Sequence, residues 1–175
     1  MAQNVEIKAR ITDPVAFRET AANLTSSQGE VIRQKDTFFT AANGRLKLRD
    51  FGDGHGELIR YQRPDASGPK VSDYAISRTE DPDGLATLLA GALPVLGIVR
   101  KTRTLFLAGR TRIHMDDVEG LGWFMELEVV LAGEDSIEDG ELETHRLMII
   151  LGIGQDDLVQ GAYLDLLTGP NEEKQ

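Results

Sequence analysis

The sequence predicts an α+β protein: an eight-stranded antiparallel β-barrel with a charged lumen, its apolar outside covered in part by helices. The first observation behind this is parity. From Asn4 to Ile11 every polar residue falls on an even number and every apolar residue on an odd one, and a strand turns such a pattern into two pure faces. The same alternation recurs in Arg45-Leu46-Lys47-Leu48-Arg49, from Arg110 to Asp116, and in Glu126-Leu127-Glu128-Val129. The second observation is sign. The shared face carries lysines, arginines and glutamates together, although the protein as a whole has a formal charge of −10. The third is spacing: about eight strand-like segments are separated by turn signals, so that neighbours can pair and the sheet can close.

The elements follow in order. After the first strand, Asp13-Pro14 is a helix N-cap followed by a proline at the first helical position, where its missing N–H costs nothing. Phe17, Ala21 and Leu24 mark that helix's buried face. Strands are expected near 30–40, 45–50, 57–63 and 70–79, divided by Asn43-Gly44, by Gly52-Asp53-Gly54 and by a loop from Pro64 to Pro69. A second helix start at Asp81-Pro82 is followed by Leu85, Leu88, Leu89 and Ala92 at helical spacing. Strands at 98–108, 110–117 and 123–131 come next, the last two joined by Glu119-Gly120-Leu121-Gly122. Ser136 to Asp139 caps a helix running toward Leu151, and a short helix is expected around Tyr163 to Leu167. Residues 1–170 are read as one domain, and 171–175 as a polar tail.

Composition excludes several classes. At 175 residues the chain can bury a sizeable core as one unit. It has no cysteine, so any metal must be held by oxygen or by the three histidines, which suits a hard cation such as Mg²⁺ or Mn²⁺. No stretch approaches the roughly 20 apolar residues of a membrane span, and a cytoplasmic location is expected. The acidic balance, with a pI near 4.8, argues against a nucleic-acid surface, which needs an exposed basic patch. The positive charge is expected to be enclosed. Gly120-Leu121-Gly122 lacks the lysine and hydroxyl residue of a phosphate-cradling loop, and no dinucleotide fingerprint is present.

The ordered series Asn4-Val5-Glu6-Ile7-Lys8, Gly44-Arg45-Leu46-Lys47-Leu48-Arg49, Arg100-Lys101-Thr102-Arg103, Ile113-His114-Met115-Asp116 and Glu126-Leu127-Glu128 resembles the CYTH family, the triphosphate tunnel metalloenzymes. Its members include class IV adenylyl cyclases, thiamine triphosphatases and inorganic triphosphatases. The stretches Gly68 to Tyr74 and Val118 to Gly122 look most like the cyclase branch. Two departures stand out. The first acidic position of the amino-terminal signature is Asn4, which removes one charge from the metal side. A mid-barrel lysine two residues before a proline corresponds to Gln62 before Pro64, with Arg60 and Arg63 as substitutes.

The resemblance implies a CYTH-like triphosphate tunnel that holds Mg²⁺ or Mn²⁺. Glu6, Glu126, Glu128 and Asp116 are the expected metal carboxylates, because hard divalent cations take oxygen ligands and bridge phosphate oxygens. Lys8, Arg45, Lys47, Arg49, Arg60, Lys70, Lys101, Arg103 and Arg112 are the expected triphosphate ligands, arginine as a planar fork and lysine as a mobile point charge. Asp116 and Lys101 are the expected catalytic pair. Arg110 and His114 are weaker candidates, His114 being read first as a hydrogen-bonded lumen or rim residue. Trp123, Phe124 and Phe38-Phe39 are read as packing residues.

The implied activity is conversion of ATP, or a similar small-molecule triphosphate, to a cyclic nucleotide and pyrophosphate. Hydrolysis of an organic or inorganic triphosphate, and binding of triphosphate without turnover, are the alternatives. Neither nucleic acid nor membrane is an expected partner, and a homodimer is compatible with the sequence. The competing explanation for the charged strands is cross-strand ion pairing, each exposed pair contributing only about 0.2–1 kcal/mol.

Overall fold

The computed structural model describes residues 2–62 and 68–169, and within them the strands close into a ring. In chain order the elements are β1 (Ala2–Arg10), α1 (Pro14–Thr25), β2 (Glu30–Phe39), β3 (Arg45–Asp50), β4 (Gly56–Gln62), β5 (Lys70–Thr79), α2 (Pro82–Ala92), β6 (Val95–Ala108), β7 (Thr111–Val118), β8 (Gly122–Leu131), α3 (Ile137–Ile150) and α4 (Tyr163–Thr168). The ring runs β1-β5-β4-β3-β2-β6-β7-β8 and returns to β1. Every pairing is antiparallel. The expected loop at Pro64–Pro69 and the tail at 171–175 fall largely outside the described residues.

Parity does what the sequence promised. On β1, β7 and β8 the odd-numbered Ile7, Ala9, Ile113, Met115, Met125 and Leu127 face outward into a core shared with Phe17 and Ala21 of α1 and Leu147 and Met148 of α3. The caps form as read. Asp13 accepts from the amides of Val15 and Ala16, and Ser136 accepts from the amide of Asp139. Helix α3 lies close against β1 because Gly140 faces Val5. A β-carbon at Gly140 would come within 2.7 Å of a Val5 methyl, so a larger residue would lever the helix off the barrel.

Two expectations change. Helix α2 forms where the leucine spacing put it, but its apolar stripe is not buried. Leu88 is 73% exposed, and Pro82 is the helix's one buried residue among those described. The helix touches only β2 and β3 to any extent, so periodicity set the helix without a surface to receive it. Strand β6 begins at Val95, three residues earlier than expected, and passes Gly97, where Leu164 of α4 packs.

A second core fills one end of the lumen itself. Phe38, Ile59, Tyr61, Val99, Val118 and Phe124 pack there with Tyr163 and Leu164 of α4. The barrel is therefore plugged at one end. Among the described residues no helix is long and apolar enough to cross a membrane.

Candidate functional site

The lumen is a cavity of about 450 Å³, and its wall is built from alternate residues of the strands. On β1 these are Asn4, Glu6 and Lys8; on β3, Lys47 and Arg49; on β6, Lys101 and Arg103; on β7, Arg112 and His114; and on β8, Glu126 and Glu128. The expected charged face is thus one continuous inner surface. Strand direction fixes its two ends. The carboxyl ends of β1, β2 and β4 meet α4 at the plug, where Lys8 donates to the Gly161 carbonyl at 3.0 Å. The opposite, open mouth is formed by the amino ends of β1, β2, β4 and β7 and the carboxyl ends of β3, β5, β6 and β8.

The cations do not stand alone. Asp36 of β2, 2% exposed, accepts from Lys47 at 2.8 Å and from Arg49 through two bonds of 2.8 Å. Arg103 grips Asp116 with two bonds of 2.7 Å and reaches Glu126 at 2.7 Å. Lys8 lies 3.3 Å from Glu126, and Arg112 donates to Glu128 at 2.8 Å. These pairs shape the titration of the site. Burial raises the Asp36 carboxyl, but Arg49 and Lys47 outweigh it and hold the group well below the usual range. Glu126 behaves likewise under Lys8 and Arg103. Lys101 is pushed down to about 7 by burial and by the Arg103 cation.

Seven cations and five carboxylates line the cavity, and Asp116 sits directly behind them. The lumen is therefore close to neutral, and the ion-pair explanation accounts for much of its order. It leaves one feature unexplained. Glu6 and Glu128 stand directly opposite each other across the β1–β8 pair, a like-charge juxtaposition that persists although Lys70 faces Glu6 from β5 and Arg112 bonds Glu128. Beside them, His114 Nδ1 is buried without a hydrogen-bond partner, 3.7 Å from Glu128 and 3.9 Å from Glu126. Ligand atoms of His114, Glu126 and Glu128 all lie within 4.8 Å of one another. Burial, and the Arg103 charge with it, lower the imidazole's pKa and favour the neutral ring that can ligate. Two carboxylates and a neutral imidazole, with a third carboxylate adjacent, fit a divalent cation such as Mn²⁺ or Mg²⁺.

Several expected site residues stand elsewhere. Arg60 is on the outer face of β4, opposite Leu46 and Ala75, because that strand turns its odd residues inward; Ile59 and Tyr61 occupy the wall where the substitute cation was expected. Gln62 shares the outer face, and Arg63 lies outside the described residues. Arg45 has lumen parity but is clamped to Asp165 of α4 at 2.7 and 3.0 Å. Lys70 is buried opposite Glu6 across the β1–β5 pair and shares the inward parity of Ser72 and Tyr74 on β5. Arg110 binds Glu143 and Asp135 and ties α3 to the barrel. Asp116 is fully buried, bound by Arg103 and by the Tyr163 hydroxyl. Those bonds orient the carboxylate, and the Lys101 ammonium lies 3.7 Å from it.

A model of the CYTH domain matches residues 2–163. The chain belongs to the CYTH family. CYTH proteins are metal-dependent enzymes of triphosphate substrates such as ATP. The chain is 26% identical over 171 residues to the adenylate cyclase CyaB of Aeromonas hydrophila, covering 93% of this chain and 87% of that protein. Among solved structures it is similar to the PH1012 protein of Pyrococcus horikoshii, at a TM-score of 0.81 and 19% identity, covering 93% and 98% of the two chains. It is also similar to a Hippeastrum protein first assigned as an adenylyl cyclase and described as having a dominant triphosphatase activity. That match has a TM-score of 0.63 and 17% identity, covering 86% and 88%.

Sequence reasoning gave Asp36 and Tyr163 no role and ranked His114 low. Asp36 was readable in principle, since Gln34-x-Asp36-x-Phe38 alternates like the charged strands. Tyr163 was not: it enters the lumen from a separate helix, and no local pattern announces that.

Proposed function

We propose that this CYTH protein is a metal-dependent enzyme that draws a nucleoside triphosphate phosphate-first into the barrel and converts ATP to cyclic AMP and pyrophosphate. The observation that carries this reading is the juxtaposition, in one enclosed lumen, of the His114, Glu126 and Glu128 group with Lys8, Lys47, Arg49, Lys101, Arg103 and Arg112.

A divalent cation on Glu126, Glu128, His114 and the adjacent Glu6 would neutralise charge on the phosphate oxygens. The remaining work belongs to the chain's own residues. Lys47, Lys101 and Lys8, toward the plug, hold the terminal phosphates, while Arg112 near the mouth meets the α-phosphate. Asp36 and Asp116 fix Arg49 and Arg103, so that positioning rather than reorganisation supplies the charge. The ribose 3′-oxygen attacks the α-phosphorus in line as the bond to the bridging oxygen breaks. The hydroxyl proton passes to water at the mouth, and pyrophosphate leaves from the cationic region.

Incubation with ATP and Mn²⁺, with cyclic AMP, pyrophosphate, ADP and orthophosphate resolved, tests the reading. Equimolar cyclic AMP and pyrophosphate support it. Orthophosphate with ADP would make the protein a triphosphatase on the same ligands, and binding without turnover would make it a triphosphate-binding module.

A further inference from the structure

The outside of the barrel carries cations of its own. On β2, Gln34 and Asp36 face the lumen, so Arg33 and Lys35 face outward; on β6, Lys101 and Arg103 face the lumen, so Arg100 and Thr102 face outward. Register brings the two outward rows together, with Lys35 directly opposite Arg100 and Arg33 directly opposite Thr102. Side chains so placed start about 5 Å apart across the pair and about 7 Å apart along a strand. They line a groove of about 580 Å³ whose wall includes Gln34 and Lys101, residues that also border the lumen. Like charges directly opposite destabilise a sheet, and nothing in the fold relieves these. Among the described residues, Arg33, Lys35 and Arg100 form no ion pair or side-chain hydrogen bond, whereas other strand cations are matched, Lys47 and Arg49 with Asp36, Arg103 with Asp116 and Arg110 with Glu143. The groove's carboxylates stand at its two ends. Asp50, beside Phe51, faces Lys35 from β3 but accepts from the Gly52 amide at 2.8 Å, and Asp117 and Glu119 close the β7 end. The centre is positive and the ends are negative.

We propose that Arg33, Lys35 and Arg100 form a second anion site on the outside of the barrel, separate from the lumen, that takes a compact phosphate anion of more than one phosphoryl group, with inorganic pyrophosphate the best match. The inference goes beyond the triphosphate reading of the lumen and does not depend on it. Two guanidinium forks can each grip a pair of phosphate oxygens, Lys35 adds a point charge between them, and the Thr102 hydroxyl can donate beside Arg33. An anion there removes the repulsion between Lys35 and Arg100. Three cations call for more negative charge than one phosphoryl group brings, while the carboxylates at both ends repel an extended polyanion such as nucleic acid, whose binding needs a continuous basic surface. The ligand is thereby confined to the centre of the groove.

Titration of the isotope-labelled full chain with pyrophosphate, in chelator and at constant ionic strength, tests the site through backbone amide chemical shifts. The amides of Arg33, Lys35, Arg100 and Thr102 should move along one saturating curve, with pyrophosphate at least about tenfold tighter than orthophosphate or sulfate. Lys35→Gln and, separately, Arg100→Gln should each weaken that binding about fivefold. Both variants should keep the wild-type response of lumen amides such as those of Lys47 and His114, and neither should melt below the wild type, because each removes a repulsion. Shifts confined to the lumen amides, equal affinities for the three anions, or variants that bind pyrophosphate as tightly as the wild type would overturn the outer site. The triphosphate reading would survive that result, since no lumen residue is altered.

Discussion

The phenol of Tyr163 donates a 2.8 Å hydrogen bond to Asp116, and through that one carboxylate the C-terminal plug is joined to the phosphate-facing wall. The ring of Tyr163 also lies 4.0 Å from the Lys8 ammonium and 5.0 Å from that of Lys101. Arg103 is held to Asp116 by its fork and is nearly as buried as the carboxylate. Removing one partner of such a pair leaves a buried charge uncompensated. Asp116→Asn should therefore cost about 3 kcal/mol in urea unfolding, whereas Tyr163→Phe, which deletes one hydrogen bond and keeps the ring, should cost about 1 kcal/mol. An Asp116→Asn protein as stable as the wild type would show that the pair does not anchor the wall.

The opposed Glu6 and Glu128 lead to a second expectation. Glu128 is paired with the part-exposed Arg112, and against the cost of burial the neighbouring cations hold its carboxyl below the usual range, while neutralising it relieves the like-charge juxtaposition with Glu6. Glu128→Gln, losing the Arg112 pair but relieving the repulsion, should lower the melting temperature of the metal-free protein only modestly, far less than Asp116→Asn. It should weaken Mn²⁺ binding, followed by electron paramagnetic resonance, by at least the ~10-fold seen even for residues that merely support metal ligands. Full turnover in excess chelator would contradict the metal site altogether.

Lys101 gives a pH dependence with a definite sign. Burial and Arg103 push its ammonium down to about 7 in the folded protein, while an unfolded lysine titrates near 10.4. Between those values the unfolded chain holds the extra proton, so folding stability contributed by this group rises with pH from about 7 to about 10. Lys101→Met should flatten that rise. Triphosphate binding should restore the charge, so at pH 8 binding should take up protons, measurable as a dependence of the calorimetric heat on buffer ionisation enthalpy. Proton release on binding would place Lys101 away from the phosphates.

Strand parity made the barrel legible because the two faces of β1, β3, β7 and β8 meet such different surroundings that a one-residue shift would bury charge. The caps at Asp13, Asp81 and Ser136 were readable for the same local reason. What parity could not show was pairing across the lumen. Asp36 meets Arg49 because β2 and β3 are neighbours in register, and His114 meets the glutamates because β7 and β8 are. Arg60 was misplaced because β4 has no alternation to fix its inner face: Leu58, Ile59 and Tyr61 are apolar on both sides. The plug depends on a helix of six residues whose position is set by Arg45–Asp165 and by the Gly97 notch, contacts between distant parts of the chain.

The near balance of charge in the lumen yields the last prediction. Were the cations unopposed, tripolyphosphate alone would bind strongly and a metal would add little. Here Asp36, Asp116, Glu126 and Glu128 already neutralise most of them, so a highly charged anion entering alone gains little net attraction and meets Glu126 and Glu128. A divalent cation on those carboxylates removes the repulsion and adds positive charge, and by linkage each ligand must then strengthen the other equally. Tripolyphosphate with Mn²⁺ should raise the melting temperature by clearly more than the sum of the two separate shifts. Orthophosphate at matched ionic strength should show no such excess, because it cannot span both the metal side and Lys47 and Lys101 deeper in. Glu128→Gln should abolish the excess while sparing the small shift from tripolyphosphate alone. Strictly additive shifts would mean that metal and anion do not share the lumen, and would return the paired charges to a purely structural role.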